Sequence, residues 1–384
     1  MEVEAEMTGP VLVPPALRRA RRSPLAWVTM IMLGLGGLLI AVLVLLSAGP
    51  GGALITTLLA SVSFPVLILI CFWLDRYEPE PGRYRLAALG WGAVVAVGFS
   101  LVTEQVLFAL PDTSDFVDTA VTAPVLEELG KGLFLVLIVI FRRHQVHGIL
   151  DGIVYAALVG IGFAFVEDVF YYLDSLDGDL VSVFLVRGLM GPFAHPLFTT
   201  ATGIGIGIAV TTRRPAVRAL APIAGFLLAV AMHGTWNGSL FWGGGRGFFI
   251  AYGVIILPLL TMVLILAIWT RSWEGELLKT ALQEAAQLGW IRPEEIRWIA
   301  RLSDRMSARS YAKQLGGQQA KRGLRAYQQT LIEIAFVHHR ALRGTPPRDV
   351  NQRMTALLEY AAALRPYVIL PPPPTGYGSP PMLH

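Results

Sequence analysis

Apolar residues along this chain fall in long blocks, not in the two-residue alternation of a half-buried strand or the narrow stripe of a soluble helix. At about 20 residues per bilayer crossing, eight blocks are long enough to span: 26–47, 53–74, 86–110, 121–141, 149–173, 181–210, 216–242 and 248–270. The pattern predicts an all-α fold, a polytopic membrane helix bundle of about eight transmembrane helices. After Thr270 the pattern changes. Residues 273–290, 293–305 and 322–343 carry apolar positions at helical spacing with Glu, Gln and Arg between them, which predicts a helical C-terminal appendage. The run Pro371-Pro372-Pro373-Pro374 through Pro380-Pro381 has the composition of a polyproline or disordered tail. The expected organisation is an N-terminal segment over 1–25, a transmembrane domain over 26–270, a helical domain over 271–366 and a proline-rich tail over 367–384.

Composition agrees with the pattern. Of 384 residues, 54% are hydrophobic and only 15% charged, with a mean hydropathy of +0.58, too apolar for an ordinary soluble domain. Charge then supplies an orientation, because Lys and Arg concentrate in cytoplasmic loops. Arg18 to Arg22, Arg76/Arg83/Arg85, Arg142/Arg143, Arg213/Arg214/Arg218 and the Arg-rich tail fall on one side of an eight-span chain. The stretch 49–52, the loop 111–120 with Asp112, Asp115 and Asp118, and 174–179 fall on the other. Only Arg246 goes against the alternation. The expectation is a multi-pass cell-membrane protein with both termini cytoplasmic and the first block acting as an uncleaved signal anchor. Basic residues distributed in this way do not form a nucleic-acid patch, and no nucleic-acid partner is expected. Cys71 is the only cysteine, which excludes an intramolecular disulfide and any multi-thiolate metal site.

Against this background the informative residues are the polar ones inside the blocks, since ionisable groups at membrane depth are costly and tend to mark function. In the fourth block Glu127 and Lys131 stand four apart, in the favourable orientation for a helical ion pair. Glu128 points about 100° away and has no partner at that spacing. Two adjacent carboxylates are hard to keep ionised together, so one is expected to bind a cation, share a proton or activate water. The fifth block reads Asp151-Gly152 and later Phe163 to Asp168. Glu167 is kept as a site candidate, and Asp168 is expected near the headgroup region. In the sixth, Pro192 and Pro196 free backbone carbonyls around His195, with Thr199 one turn on. In the seventh, His233 and Asn237 share a face, either to orient an oxyanion and hold a tautomer or simply as an interhelical hydrogen-bond pair. With the termini inside, Glu127, Glu128, Glu167, His233 and Asn237 fall in the outer half of the membrane. The stretch Gly203-Ile204-Gly205-Ile206-Gly207 follows no predicted strand and reads as small residues for close helix packing, not a nucleotide fingerprint.

Taken together these motifs resemble the PrsW family of intramembrane proteases, related to the CAAX-processing and bacterial immunity-type (CPBP) membrane proteases. Glu127, Glu128 and Lys131 match the family's Glu-Glu-x-x-Lys motif. Asp151 to Asp168 is similar to its Asp-Gly…Tyr…Gly-x-Gly-Phe-Ala-x-x-Glu-Asn segment, with Asp168 in place of the Asn, and the two later histidine motifs match His195/Thr199 and His233/Asn237. The resemblance implies an intramembrane peptidase that cleaves a membrane-embedded, single-pass protein, in the best-known branch an anti-sigma factor. It further implies catalytic roles for Glu127, Glu128, His195, His233 and Asn237, with Lys131, Glu167, Asp168 and Thr199 supporting. A glutamate would activate water and Asn237 would stabilise the oxyanion. Zinc is an open question: Glu167, His195 and His233 can be read as a ligand set, yet there is no HExxH motif, and a metal-free glutamate mechanism uses the same residues. Two other classes compete, a transporter or channel with a buried Glu/His proton or cation pathway, and a scaffold acting through its C-terminal helices. No inverted repeat favours the first.

Overall fold

The computed structural model describes residues 24–77, 80–107, 114–142, 145–243, 245–342, 344 and 349–372. The arginine group 18–22, Asp112, Arg143 and the proline tail from 373 onward lie outside them. Among the described residues there are helices and turns and no strand, an all-α membrane bundle. The chain runs through α1 (Pro24–Ala60), α2 (Phe64–Leu74), α3 (Gly82–Gly90), α4 (Val97–Leu107), the single turn α5 (Asp115–Val117), α6 (Ala123–Arg142), α7 (Ile149–Asp174), the short α8 (Leu180–Val183), α9 (Ala194–Thr211), α10 (Pro215–Gly238), α11 (Arg246–Ala251) and α12 (Leu257–Gln287). Wider π-helical stretches lie at Trp91–Ala96, Asp118–Thr122, Phe184–Met190 and Tyr252–Ile256. Such stretches are rare and recur near functional sites.

Six helical stretches are long and apolar enough to cross a bilayer: Thr29–Leu74, Gly82–Val106, Ile149–Asp174, Leu180–Thr211, Pro215–Phe241 and Arg246–Gln287. Their difference from eight blocks has two physical sources. The first two blocks join into one stretch of 46 residues, interrupted at Gly49, where φ is 67° and the helix cannot continue. The fourth block does form a helix, α6, but Glu127, Glu128, Lys131 and Arg142 make it too charged to qualify on composition. Leu35, Leu38, Leu46, Leu69, Ile250, Val254 and Ile265 are exposed. An apolar outer face of this kind is the surface that lipid covers.

The chain divides into two compact units, one over Arg22–Arg271 and one containing 272–384, with the boundary inside α12. In the second, α13 (Pro293–Ala300), α14 (Leu302–Leu342) and α15 (Val350–Leu364) enclose a core that includes Leu278, Leu282, Ile299, Leu331, Ile334 and Leu357. The α14 stretch turns at Gly316–Gly317, where Gly317 has φ 67°. Glu295 is buried there, accepting from the Tyr327 hydroxyl at 2.7 Å and from Arg365 at 2.7 Å.

In the first unit α7 is the axis, buried along nearly its whole length. Its start is capped by Asp151, whose carboxylate accepts from the backbone N–H of His147 at 2.5 Å and of Gly148 at 3.3 Å. Lipid provides no hydrophobic drive between helices, so α7 and α9 hold together by close backbone approach over small residues. A Cβ on Gly152 would lie 2.1 Å from the Gly203 carbonyl oxygen, and one on Gly203 would lie 2.2 Å from that of Gly152. Gly205 faces the α10 backbone in the same way, 2.3 Å from the Ala221 oxygen. The predicted small-residue stretch thus packs α9 against both neighbours.

Nearer the end of α7, a Cβ on Gly160 would stand 2.6 Å from the Pro196 nitrogen and 2.7 Å from the His195 carbonyl. This contact sets how deeply the first turn of α9 sits. The polypeptide breaks at Gly191–Phe193 and restarts as α9 at Ala194, so the prolines of the sixth block flank a helix start, Pro196 lying in the first turn where its missing N–H costs nothing. Gly160→Ala should push α9 off α7. Thermal unfolding in detergent should show a loss of about 1–3 kcal/mol, the usual range for overpacking, and wild-type stability in this variant would contradict the close approach.

Candidate active site

The centre of the site is the Lys131 ammonium, fully buried. It donates to Glu127 Oε2 at 3.1 Å and to Glu128 Oε1 at 2.9 Å, and stands 2.9 Å from His195 Nδ1 and 3.7 Å from the centroid of the Phe163 ring. The expectation that Glu128 lacks a helical partner is therefore corrected. Residues three apart are also neighbours on a helix, and the long lysine side chain reaches both carboxylates. Glu128 has further donors: Thr199 Oγ1 at 3.0 Å and His233 Nδ1 at 3.2 Å.

The partners decide the tautomers of the two histidines. His233 Nδ1 faces the Glu128 carboxylate, which only accepts, so Nδ1 donates and in the neutral imidazole Nε2 is bare. That bare nitrogen lies 3.7 Å from Glu127 Oε2, and the ring stacks on Phe198 with centroids 5.0 Å apart. His195 is arranged the other way round. Its Nε2 lies 2.6 Å from Glu167 Oε2 and is protonated, while bare Nδ1 faces Lys131 and lies 3.9 Å from Glu127 Oε2. Two imidazole lone pairs and one carboxylate oxygen thus converge from α6, α9 and α10, and each histidine is held from behind by a second carboxylate.

This donor set can be tested as a metal site. Glu127, His195 and His233 offer three atoms that all lie within 4.8 Å of one another. Tetrahedral zinc with bonds of about 2.1 Å spaces its ligands by about 3.4 Å, so the 3.7 and 3.9 Å separations of the histidines from Glu127 need small movements, while the two histidine nitrogens lie within 4.8 Å of each other. The outer carboxylates Glu128 and Glu167 are the usual companions of ligating histidines. Charge also fits, since four buried or half-buried carboxylates (Glu127, Glu128, Glu167, Asp168) face two fixed cations, Lys131 and Arg187. With all four ionised, the cluster carries an excess of negative charge that a divalent cation would reduce. Lys131 is the competitor, because an ion bound at His195 Nδ1 takes the lone pair that the ammonium now faces. Glu167, expected among the ligands, stands on the opposite side of the His195 ring from Glu127. A second group with ligand-like spacing, Glu80, His147 and Asp151, has structural duties: Asp151 caps α7 and Glu80 accepts from the Tyr155 hydroxyl at 2.7 Å.

Comparisons with known proteins give the family. Residues 80–268 match the model of the PrsW family intramembrane metalloprotease. Protease PrsW of Geobacillus kaustophilus is 30% identical over 200 residues, 50% of this chain and 84% of the relative. The chain belongs to the PrsW family. It is an intramembrane peptidase and a multi-pass membrane protein. Protease PrsW of Oceanobacillus iheyensis is 23% identical over 223 residues, 58% of this chain and 98% of that one. Protease PrsW of Clostridioides difficile is 27% identical over 146 residues, 36% of this chain and 60% of that one. No solved structure matches significantly.

Within this PrsW-family protein the remaining expected residues separate. Thr199 joins the cluster through Glu128. The Asn237 amide instead donates to the Thr119 carbonyl at 3.0 Å, tying α10 to the π-helical stretch that precedes α6. Asp168, expected near the headgroups, is buried and accepts from Arg187 Nε at 2.6 Å. Arg187 also binds Glu167. Sequence reading passed over Arg187 and also Glu104, a half-buried α4 carboxylate within electrostatic range of Glu127, Glu167 and Lys131. Each is an isolated charge within an apolar block, and that was the available signal.

Lys131 compensates two buried carboxylates, so Lys131→Met should lower stability by about 3–5 kcal/mol, read by thermal unfolding in detergent. Adding Glu127→Gln should recover part of that loss by removing one stranded charge. A single variant as stable as the wild type would reject the arrangement.

Proposed function

We propose that the protein cleaves a membrane-embedded segment of a single-pass protein substrate, with Glu127 as the residue that accepts a proton from the attacking water. The observation that carries this reading is the convergence of Glu127 Oε2, His195 Nδ1 and His233 Nε2. Glu127 is favoured over Glu128 on partner grounds. Both Glu128 oxygens are engaged, Oε1 with Lys131 and His233 and Oε2 with Thr199. Among the described residues Glu127 has Lys131 as its hydrogen-bond donor, through Oε2, which leaves Oε1 to a water. Glu128 then orients His233, and Lys131 keeps the paired carboxylates compatible with burial. A small cavity beside His195 at the helix break is lined by Ala164, Asp168, Arg187, Gly191, Ala194 and Trp236. In this reading Asn237 positions α10, and oxyanion stabilisation falls to the Lys131 ammonium at the centre of the cluster.

His195 Nδ1, His233 Nε2 and Glu127 Oε2 would hold a zinc ion, which when bound would polarise the scissile carbonyl and acidify its water, with Glu127 Oε1 left to take the proton. Substrate choice follows the setting. Only a protein with its own spanning helix can bring a peptide bond to this depth, and an anti-sigma factor is one such substrate. The alternation of arginine-rich and acidic loops supports both termini on the cytoplasmic side and eight crossings, counting α6 and dividing α1 from α2 near Gly49. The site then falls in the outer half of the membrane and residues 271–366 form a cytoplasmic helical domain.

Purified protein incubated with candidate single-span substrates tests the reading directly. Glu127→Gln should reduce turnover by about 10²–10⁴-fold, the range for a lost general base, with expression retained. A zinc chelator should inhibit the wild type and added zinc should restore it. Wild-type turnover by Glu127→Gln would reject its role as base, and indifference to chelation would reject zinc. Reporter fusions after Asp118 and Asp179 should read as extracytoplasmic and one after Thr270 as cytoplasmic. An extracytoplasmic result after Thr270 would overturn the crossing count.

A further inference from the structure

We infer that Arg187 is a positioning residue that acts through Glu167 on His195 and so aims the bare His195 Nδ1 at Glu127. The inference rests on the proposed role of the Glu127, His195 and His233 convergence. Arg187 lies in the π-helical stretch Phe184–Met190, just before the break that leads into α9. Its guanidinium is largely buried and uses two different arms. Nε donates to Asp168 Oδ1 at 2.6 Å, while Nη2 donates to Glu167 Oε2. The cation also lies 3.8 Å from the centroid of the Tyr171 ring, so α7 holds the fork at its edge through two carboxylates and on one face through a ring.

The oxygen that receives Nη2 is the same Glu167 Oε2 that His195 Nε2 reaches at 2.6 Å. Arg187 therefore determines where that oxygen sits. On the other side of the ring, Lys131 can only donate, so it also requires a bare Nδ1. The two cations act on His195 from opposite ends, Lys131 directly and Arg187 through a carboxylate. Without the guanidinium, Glu167 and Asp168 are adjacent carboxylates with no fixed cation between them. Glu167 Oε2 would then lack the donor that fixes it, and the carboxylate could turn away from His195 Nε2, freeing the ring to rotate or change tautomer. A fork is required because one group must bridge two carboxylates at fixed angles, which a lysine point charge cannot do.

The test uses full-length protein in detergent with ¹⁵N-labelled histidine, the His195 ring signals being identified by their loss in His195→Gln. The wild type should show a protonated Nε2 and a bare Nδ1. Arg187→Met should convert this to a tautomer mixture and lower kcat by roughly 10–100-fold, the usual effect of losing a residue behind a functional histidine, with KM little changed. Arg187→Lys should recover only part of both. Glu167→Gln should resemble Arg187→Met, and the double variant should be no worse than either alone, because the two residues act as one unit. As Arg187→Met strands two buried carboxylates, Asp168→Asn/Arg187→Met carries the same measurement with less uncompensated charge. An unchanged His195 signature in that variant, or losses that multiply in the Glu167→Gln/Arg187→Met pair, would overturn the inference. The ring signals are read without substrate or metal, so failure here leaves the role of Glu127 standing, and failure of Glu127→Gln leaves this signature intact.

Discussion

A fully buried ammonium between two adjacent carboxylates is the constraint on which the first unit depends. Lys131, Glu127 and Glu128 compensate one another in the apolar interior, and removing one strands the charge of another. Each satisfied requirement creates the next. Glu128 needs further donors and takes them from Thr199 on α9 and His233 on α10. His195 faces the ammonium with one nitrogen and must therefore be held by an acceptor at the other, which Glu167 on α7 supplies. The polar layer ties α6, α7, α9 and α10 together because no member can leave without stranding a charge.

Such a layer demands short distances between helices, and the small residues provide them. Gly152 against Gly203 brings α7 and α9 to backbone contact, and Gly160 seats the first turn of α9, where His195 lies. Larger side chains at these positions would hold the imidazole beyond hydrogen-bond reach of Glu167. The break at Gly191–Phe193 serves the same end. It lets Arg187 and His195, close in sequence, approach Glu167 from two directions, which one continuous helix would not permit. Packing and chemistry are thus coupled: the glycines determine the distances, and the distances decide which nitrogen of each histidine keeps its lone pair.

Much of this was legible in the sequence because membrane burial makes polar residues conspicuous. Long apolar blocks predicted the all-α membrane bundle, and Glu127, Glu128, Lys131, Glu167, His195, Thr199 and His233 stood out within them as residues too costly to be there by chance. Helical spacing paired Glu127 with Lys131, a contact within one turn that needs no tertiary information. Spacing could not say that Lys131 also reaches Glu128, because that depends on a rotamer selected by neighbours on other helices. Nor could it place Asn237 on Thr119, set Glu127 in ligand distance of the histidines with Glu167 behind His195, or connect Arg187 with Glu167 and Asp168 some 20 positions earlier. Periodicity along a chain records which residues share a face of one helix. Which faces meet, and which atom of a two-nitrogen ring is turned toward which partner, is decided only when separate helices pack.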